Sequence, residues 1–359
     1  MSKYSWYSVV LFRLKRLLNS LVRRWEAHVF LKMSRNEADD LRKSIVSDRG
    51  KKVVDRKMKK HIKTYCRNVF GDSSYWRWLA LYTEVRGGFV DGWMPDDYYR
   101  FKFLPRVNPE KFMAFSEEKT IDHKLFNGAI VNPIFFKSNG YYCNKEGTVL
   151  SKAEVEKLLL ELECELIIKP ADGHGGQRIF FRNSNELNLD DLPTEGNLLF
   201  QKVVQQHSEL DSIHPQSINT FRVATFIDQK GIVSVKYGIL RFAIGGTRVD
   251  NTSSGGGWVF IDQKGKVRLP AYENKWIDLG DRHPDTGVKF ADLELAYFHK
   301  LISLCKNAHR RFPYTQLIGW DVFVDTCGEP KLLEWNANNP SFWKIEAWYG
   351  PFFADEIIE

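Results

Sequence analysis

Gly319-Trp-Asp-Val-Phe-Val-Asp-Thr-Cys-Gly-Glu-Pro-Lys-Leu-Leu-Glu-Trp-Asn-Ala-Asn-Asn-Pro340 reads as two strands around a turn. Val322, Phe323 and Val324 are strand formers, Gly328 to Pro330 breaks the run, and Leu332 to Trp335 resumes it. Side chains alternate along a strand, so Glu334 and Asn336 are expected on one face and Leu333 and Trp335 on the other. Asp321 begins the partner strand, and pairing the two would bring Asp321, Glu334 and Asn336 to one patch. Two carboxylates and an amide oxygen are hard donors of the kind that hold Mg2+ together with substrate phosphates. An ordinary exposed hairpin would carry the same residues, so the rest of the chain has to decide.

Upstream of the hairpin, Asp292 to Arg311 reads as an amphipathic helix stopped by Phe312-Pro313. Before it lie two long apolar strands, Asn219–Asp228 and Ile232–Ala243, each with an arginine inside, Arg222 and Arg241. An arginine in an apolar strand needs an anionic partner, either an internal carboxylate or a ligand. A loop of small residues from Gly245 to Gly257 follows, holding Arg248, Asp250 and Asn251. Further back, Leu198 to Val204 is an apolar strand. Cys164–Lys169 and Gln177–Phe181 are strands joined by Pro170-Ala171-Asp172-Gly173-His174-Gly175-Gly176. Glycines in such a turn let backbone amides approach phosphate oxygens closely, and Lys169 adds a positive charge beside them. The spacing is neither a Walker loop nor a dinucleotide fingerprint. Ser151 and Glu154 form a capping box ahead of Val155, Leu158 and Leu159, which predicts a helix from Ser151 to Glu161. Strands interleaved with few helices, without regular alternation, indicate α+β.

The N-terminal part differs in character. Residues 1–70 hold 19 Lys/Arg against 6 Asp/Glu, whereas the remainder holds 33 against 39. Helices are expected over Tyr4–Met33, Ser34–Val46 and Val54–Tyr65. A basic amphipathic helix either packs on its own protein or lies on an anionic membrane surface. No nucleic-acid recognition motif accompanies the charge. Aromatic residues crowd between Gly71 and Pro109, as a packed core requires. Five scattered cysteines without a CxxC pair argue against a disulfide framework or a zinc site and for a reducing compartment. Charges at Arg13, Lys15 and Arg16 interrupt the apolar positions near the start, so no membrane span is expected there.

Taken in order, these elements resemble the ATP-grasp superfamily, and most closely its sugar-transfer-associated branch, over roughly residues 95–345. Asp122-His123-Lys124 resembles the family's Asp-Lys element with one inserted position, which makes Lys124 the first phosphate lysine. Ile167-Ile168-Lys169-Pro170 with Gly173, Gly175 and Gly176 resembles the second lysine and the mobile glycine-rich flap. Leu198 to Val204 resembles the strand beside adenine, with Gln201, Lys202 and Val203 contributing and Gln201 standing where the family often has glutamate. Asn219-Thr220-Phe221-Arg222 and Arg241 resemble the paired arginines around the phosphates and the reacting carboxyl. Arg248 to Gly256 resembles the loop that contributes Asn251, with one extra residue. Gly319-Trp320-Asp321 and Leu333-Glu334-Trp335-Asn336 match the metal signature. Residues 1–95 do not resemble the α/β domain that usually precedes such a core.

The resemblance implies an ATP-grasp fold, two α+β subdomains clasping ATP, behind a mainly helical basic N-terminal region. The expected boundaries are 1–114, 115–204 and 205–359. It implies an ADP-forming carboxylate ligase with an acyl-phosphate intermediate, ATP and one or two Mg2+ (Mn2+ as a substitute) as cofactors, and a small carboxylate with an amine or sugar acceptor as substrates. It also implies a context of cell-surface polysaccharide synthesis, in the cytoplasm or peripheral on the inner membrane face. Catalytic roles fall to Arg222, Arg241 and Asn251, and metal binding to Asp321, Glu334 and Asn336. A nucleotide-binding scaffold without turnover and a small-molecule kinase would use the same phosphate residues. No residue for the ribose hydroxyls is readable.

Overall fold

β-branched and aromatic runs from residue 135 onward resolve into two antiparallel sheets. The computed structural model describes residues 6–172, 178–193, 195–246, 255–273 and 276–358. The first sheet contains β1 (Phe135–Ser138), β2 (Tyr141–Asn144), β3 (Val149–Leu150), β4 (Glu165–Pro170), β5 (Phe180–Asn183) and β6 (Leu198–Lys202), in the order β3-β2-β1-β6-β4-β5. The second contains β7 (Thr220–Ile227), β8 (Val233–Phe242), β9 (Gly257–Ile261), β10 (Val267–Tyr272), β11 (Asp278–Gly280), β12 (Leu317–Val324) and β13 (Pro330–Asn336), in the order β11-β10-β9-β8-β7-β12-β13. Both belong to one compact unit, Arg106–Ser341. The α+β class read from the sequence therefore stands.

Each sheet buries one face under a helix. The Lys152–Leu162 helix starts at the expected capping box, with Ser151 and Glu154 each accepting from the other's backbone N–H. Its Val155 and Leu159 pack on Leu166, Ile168, Phe135 and Phe200 of the first sheet. The Phe298–Arg311 helix places Phe298, Leu301, Cys305 and Ala308 at three- and four-residue spacing against the second sheet. It starts six residues later than the pattern predicts, because Phe290–Asp292 forms a separate 3-10 turn. Phe126, Trp320, Trp335 and Phe312 meet edge-on in the same core. Burial of each such ring contributes on the order of 2–3 kcal/mol.

Residues 1–105 and 342–359 form the second compact unit. Here α1 runs unbroken from Trp6 to Arg49, so the helix break expected at Ser34 does not occur. Ser34, where the second helix is expected to begin, lies within α1. Its hydroxyl is buried there and accepts a hydrogen bond from Trp78 Nε1 at 3.0 Å. The second basic helix, α2 (Arg56–Phe70), is capped by Asp55, which accepts from the Met58 N–H at 2.7 Å, and ends at left-handed Gly71. Its Ile62, Cys66 and Phe70 are buried. The crowded aromatics form the core of this unit. Trp78, Tyr82, Trp93 and Tyr99 are fully buried, and Trp78 meets Trp343 of the C-terminal helix at 5.2 Å.

Candidate active site

β7, β12 and β13 lie side by side, and their register sets three charges in a row. Arg222 on β7 is opposite Asp321 on β12, which is opposite Glu334 on β13. Two residues along, Gly319 is opposite Asn336. The hairpin thus carries Asp321, Glu334 and Asn336 on the same stretch of sheet. The Leu333 side chain departs from the simple alternation. The register shifts after Asp321, so that Val322 pairs with Leu332 and Leu333 is the extra residue of a β-bulge. Leu332 stays in the core, whereas Leu333 turns into the cavity beside Glu334.

Both strand arginines converge on Asp321. Arg222 Nη2 donates to Asp321 Oδ2 at 2.9 Å and its Nε donates to Oδ1, a two-pronged pair. Arg241 Nη2 lies 3.1 Å from Asp321 Oδ2. Thr220, opposite Arg241 in the register, orients it, its Oγ1 accepting from Nε at 3.0 Å and Nη2 at 2.7 Å. Burial opposes ionisation of Asp321, but Arg222 and Arg241 outweigh it and hold the carboxyl below the usual carboxylate range. Gly319 gives Arg222 its room. A Cβ at that position would sit 3.4 Å from Arg222 Nη1 and 3.1 Å from Pro340 Cβ.

A cavity of about 670 Å³ opens over Asp321 and Glu334 of this row, and Arg222 and Asn336 are not among its lining residues. Lys169, Gln201, Lys202 and Val203 line it from the first sheet, and Thr220, Arg241, Asp321 and Glu334 from the second. Burial pushes the Lys169 ammonium below its ordinary value, against the pull of Glu334. The Gln201 side chain is spent on the backbone, Nε2 donating to Val131 O at 2.8 Å. Ile167, Ile179 and Phe181 add an apolar wall.

The sequence-selected residues are not all gathered here. Lys124 is exposed, its ammonium packed against Gly147 in the β2–β3 turn, and it does not line the cavity. Lys119, three residues before Asp122, lies beside Glu334. It is buried, with Nζ 3.8 Å from Glu334 Oε1 and donating to Ala171 O at 3.4 Å. Asp122 accepts from Trp335 Nε1 at 2.7 Å, and burial pushes its carboxyl up to about 7. Gly173, Gly175, Gly176, Arg248 and Asn251 lie outside the described residues. Four lining or supporting residues were not singled out from the sequence: Lys119, Thr220, Leu333 and Asp211. Asp211 lines the cavity beyond Gln206, whose Nε2 lies 3.3 Å from Asp211 Oδ1. Lys119 had a signal, a lysine one helical turn before Asp122. The bulge that moves Leu333 had none.

The sugar-transfer associated ATP-grasp family model matches residues 98–351, more than half of the chain. The chain belongs to that family. Its two antiparallel sheets are those of an ATP-grasp protein. Among solved structures, this ATP-grasp chain is similar to biotin carboxylase from Campylobacter jejuni (14% identity, 70% of this chain and 47% of that one, TM-score 0.43). It is also similar to N5-carboxyaminoimidazole ribonucleotide synthetase from Thermotoga maritima (14%, 72% and 50%, 0.39) and to L-amino acid ligase from Bacillus licheniformis (14%, 63% and 41%, 0.35). The chain spans about half the length of these structures. No curated protein matches it.

The donor set fits a hard divalent cation. Glu334 and Asp321 are directly opposed carboxylates, and Asn336 adds an amide oxygen on the same hairpin. The three donors are not equivalent. Asp321 already accepts from two arginines, whereas Glu334 meets Lys119 only at 3.8 Å and is 30% exposed. The Asn336 Oδ1 accepts from the Asn339 N–H at 3.0 Å, which fixes its direction.

Proposed function

We propose that the protein is an ATP-dependent, ADP-forming carboxylate ligase. The observation that carries this reading is the row Arg222–Asp321–Glu334, of which Asp321 and Glu334 line one cavity with Arg241 and Lys169, while Arg222 pairs with Asp321 and Lys119 approaches Glu334. ATP, a carboxylate and a leaving phosphate are all anionic, and such a set of cations lets them approach one another. In the reaction, a carboxylate oxygen attacks the γ-phosphorus, the bond to the ADP oxygen breaks, and an acyl phosphate forms. An amine then attacks the acyl carbon, the C–N bond forms, phosphate leaves, and the amine proton passes to phosphate or water.

Lys169 and Lys119 offset charge on the α- and β-phosphates in this reading, and Lys124 takes the more peripheral place. Arg222 and Arg241, as planar forks, orient the γ-phosphate and the carboxylate. Val203 and the apolar wall flank adenine, Gln201 and Lys202 hold that edge, and Asp211 accepts from the ribose hydroxyls. Gly173, Gly175 and Gly176 cover the phosphates and exclude water, and Asn251 faces the reacting carboxyl. Asp321, Glu334 and Asn336 hold one or two Mg2+, with Mn2+ as a substitute. When bound, the metal neutralises phosphate charge as a Lewis acid. Positioning and electrostatics supply the catalysis, with no dedicated base.

The substrate context is taken from the family's name: a carboxylic acid joined to an amine or sugar acceptor during cell-surface polysaccharide assembly, in the cytoplasm or at the inner membrane face. The ATP-grasp subdomains run from 115 to 204 and from 205 to 359 in this reading. The test is ADP release with candidate acids, in the wild type and in Glu334→Ala, with hydroxylamine present. A hydroxamate that forms only with ATP supports the ligase. Phosphorylated product without hydroxamate means a kinase, and ATP binding without turnover of any acid tried means a scaffold.

A further inference from the structure

The family match begins at residue 98, so it assigns nothing to α1 and α2. At 1.5 Å per residue the 44-residue α1 is about 66 Å long. From Ser34 onward it is tied to its own unit, by Ser34 to Trp78, Arg35 to Asp97 and Asp39 to Arg77. Before Ser34 the side chains described are half-buried or exposed. Val22 is 48% exposed, Trp25 67%, Phe30 56% and Met33 59%.

In the sequence the apolar residues of this stretch are not scattered. Leu11, Leu14, Leu18, Val22, Trp25 and Val29 recur at three- and four-residue steps, and Met33 continues the series. Such a series keeps one side of a helix apolar. Residues 1–34 carry seven Lys/Arg and a single acid, Glu26. The second helix repeats the sign. α2 contains no Asp or Glu, and opposite its buried Ile62, Cys66 and Phe70 it exposes Arg56, Lys57, Lys59, Lys60, Lys63 and Arg67. The Lys59 and Lys63 ammoniums stand 4.1 and 5.5 Å from the Trp76 ring, with Arg77 at 5.6 Å. Partial burial together with Lys63 and Arg42 lowers the Lys59 ammonium from its ordinary value, as crowded positive charge does.

We infer that this unit docks on an anionic phospholipid surface, with the apolar stripe of α1 lying in the interface and the exposed face of α2 held against the headgroups. A bilayer uses both features, the stripe by burial of apolar area and the lysines by charge. A second copy of the chain would set two like-charged helices together, with one acid to offset seven bases on each. A nucleic acid would engage the charge and leave the stripe in water. Among the described residues no helix is long and apolar enough to cross a membrane, so the contact is with the surface.

The test uses the full chain without nucleotide, so its outcome is independent of the ligase reading. Co-sedimentation is measured with vesicles of phosphatidylcholine alone and of phosphatidylcholine with phosphatidylglycerol. Binding is expected only to the mixed vesicles, falling as salt rises. Lys57→Glu with Lys60→Glu is expected to weaken it at least about tenfold, since each basic residue near the surface counts for about fivefold. Trp25→Glu with Met33→Glu is expected to weaken it similarly, with the helical circular dichroism retained in both variants. Equal binding to both vesicles, no binding at low salt, or full binding by the Trp25→Glu, Met33→Glu variant overturns the inference. So does a concentration-dependent dimer that the same variant abolishes.

Discussion

Arg222 and Asp321 stand directly opposite one another on adjacent strands and are joined by two hydrogen bonds, with Arg241 closing on the same carboxylate from the next strand but one. One acid therefore holds two guanidiniums that burial would otherwise penalise. Removing it takes the shared carboxylate from both. Asp321→Ala is expected to lower unfolding free energy by about 3–5 kcal/mol, the usual cost of breaking a buried ion pair on one side. Urea denaturation measures it. A loss below about 1 kcal/mol would show that solvent or Glu334 takes over the role.

Glu334 sits in the same row but is only partly buried, with Lys119 Nζ 3.8 Å from its Oε1. Its replacement separates binding from folding. Glu334→Gln is expected to leave the urea midpoint nearly unchanged while weakening Mg2+-dependent ADP binding at least about tenfold, since a charged oxygen donor is lost. Calorimetric titration with and without Mg2+ checks this. Equal affinity in the variant would remove Glu334 from the metal set.

Two lysines flank Asp122, and the structure separates them. Lys119 is buried beside Glu334, whereas Lys124 is exposed against Gly147. Lys119→Met is expected to raise the KM for ATP by one to two orders of magnitude, about 1.4–2.8 kcal/mol of lost phosphate binding. Lys124→Ala is expected to change it less than about threefold. Steady-state ADP release on both variants decides between them, and the reverse ranking would restore the reading taken from the sequence.

That contrast shows what sequence carries and where it stops. Strand period, the capping box at Ser151 and Glu154, and the hairpin around Gly328 are local properties, so they are legible residue by residue. Arg222, Arg241 and Asp321 were each visible as charges in apolar strands, but their mutual pairing depends on register, which only the assembled sheet fixes. The bulge at Leu333 was invisible because no glycine or proline marks it. Ser34 misled for the opposite reason. A serine in a helical pattern has a local use as a cap, and here a long-range partner, Trp78, claims it. Asp211 follows a strand on a short helix, and nothing in its neighbours announces a cavity.

In the helical unit Glu346 is fully buried, accepting from the Met94 N–H and the Phe352 N–H at 3.1 Å each. Burial outweighs those two bonds and pushes its carboxyl up to about 8, from 4.5. Asp96 and Asp97 in the same unit are also raised by burial, to about 7 and about 6. A folded-state value above the unfolded one means that the folded form binds more protons between the two. Stability is then full below about pH 4.5 for Glu346 and declines as pH rises through about 8. The melting temperature of the wild type is expected to fall steadily across that window. Glu346→Gln keeps one acceptor and loses the other, so it should start about 1 kcal/mol less stable at low pH. It should then fall less steeply, because one titrating group is gone while Asp96 and Asp97 remain. Thermal melts at closely spaced pH values compare the two slopes. Parallel curves would mean that Glu346 is ionised in the folded protein throughout, held by the two N–H donors against its burial.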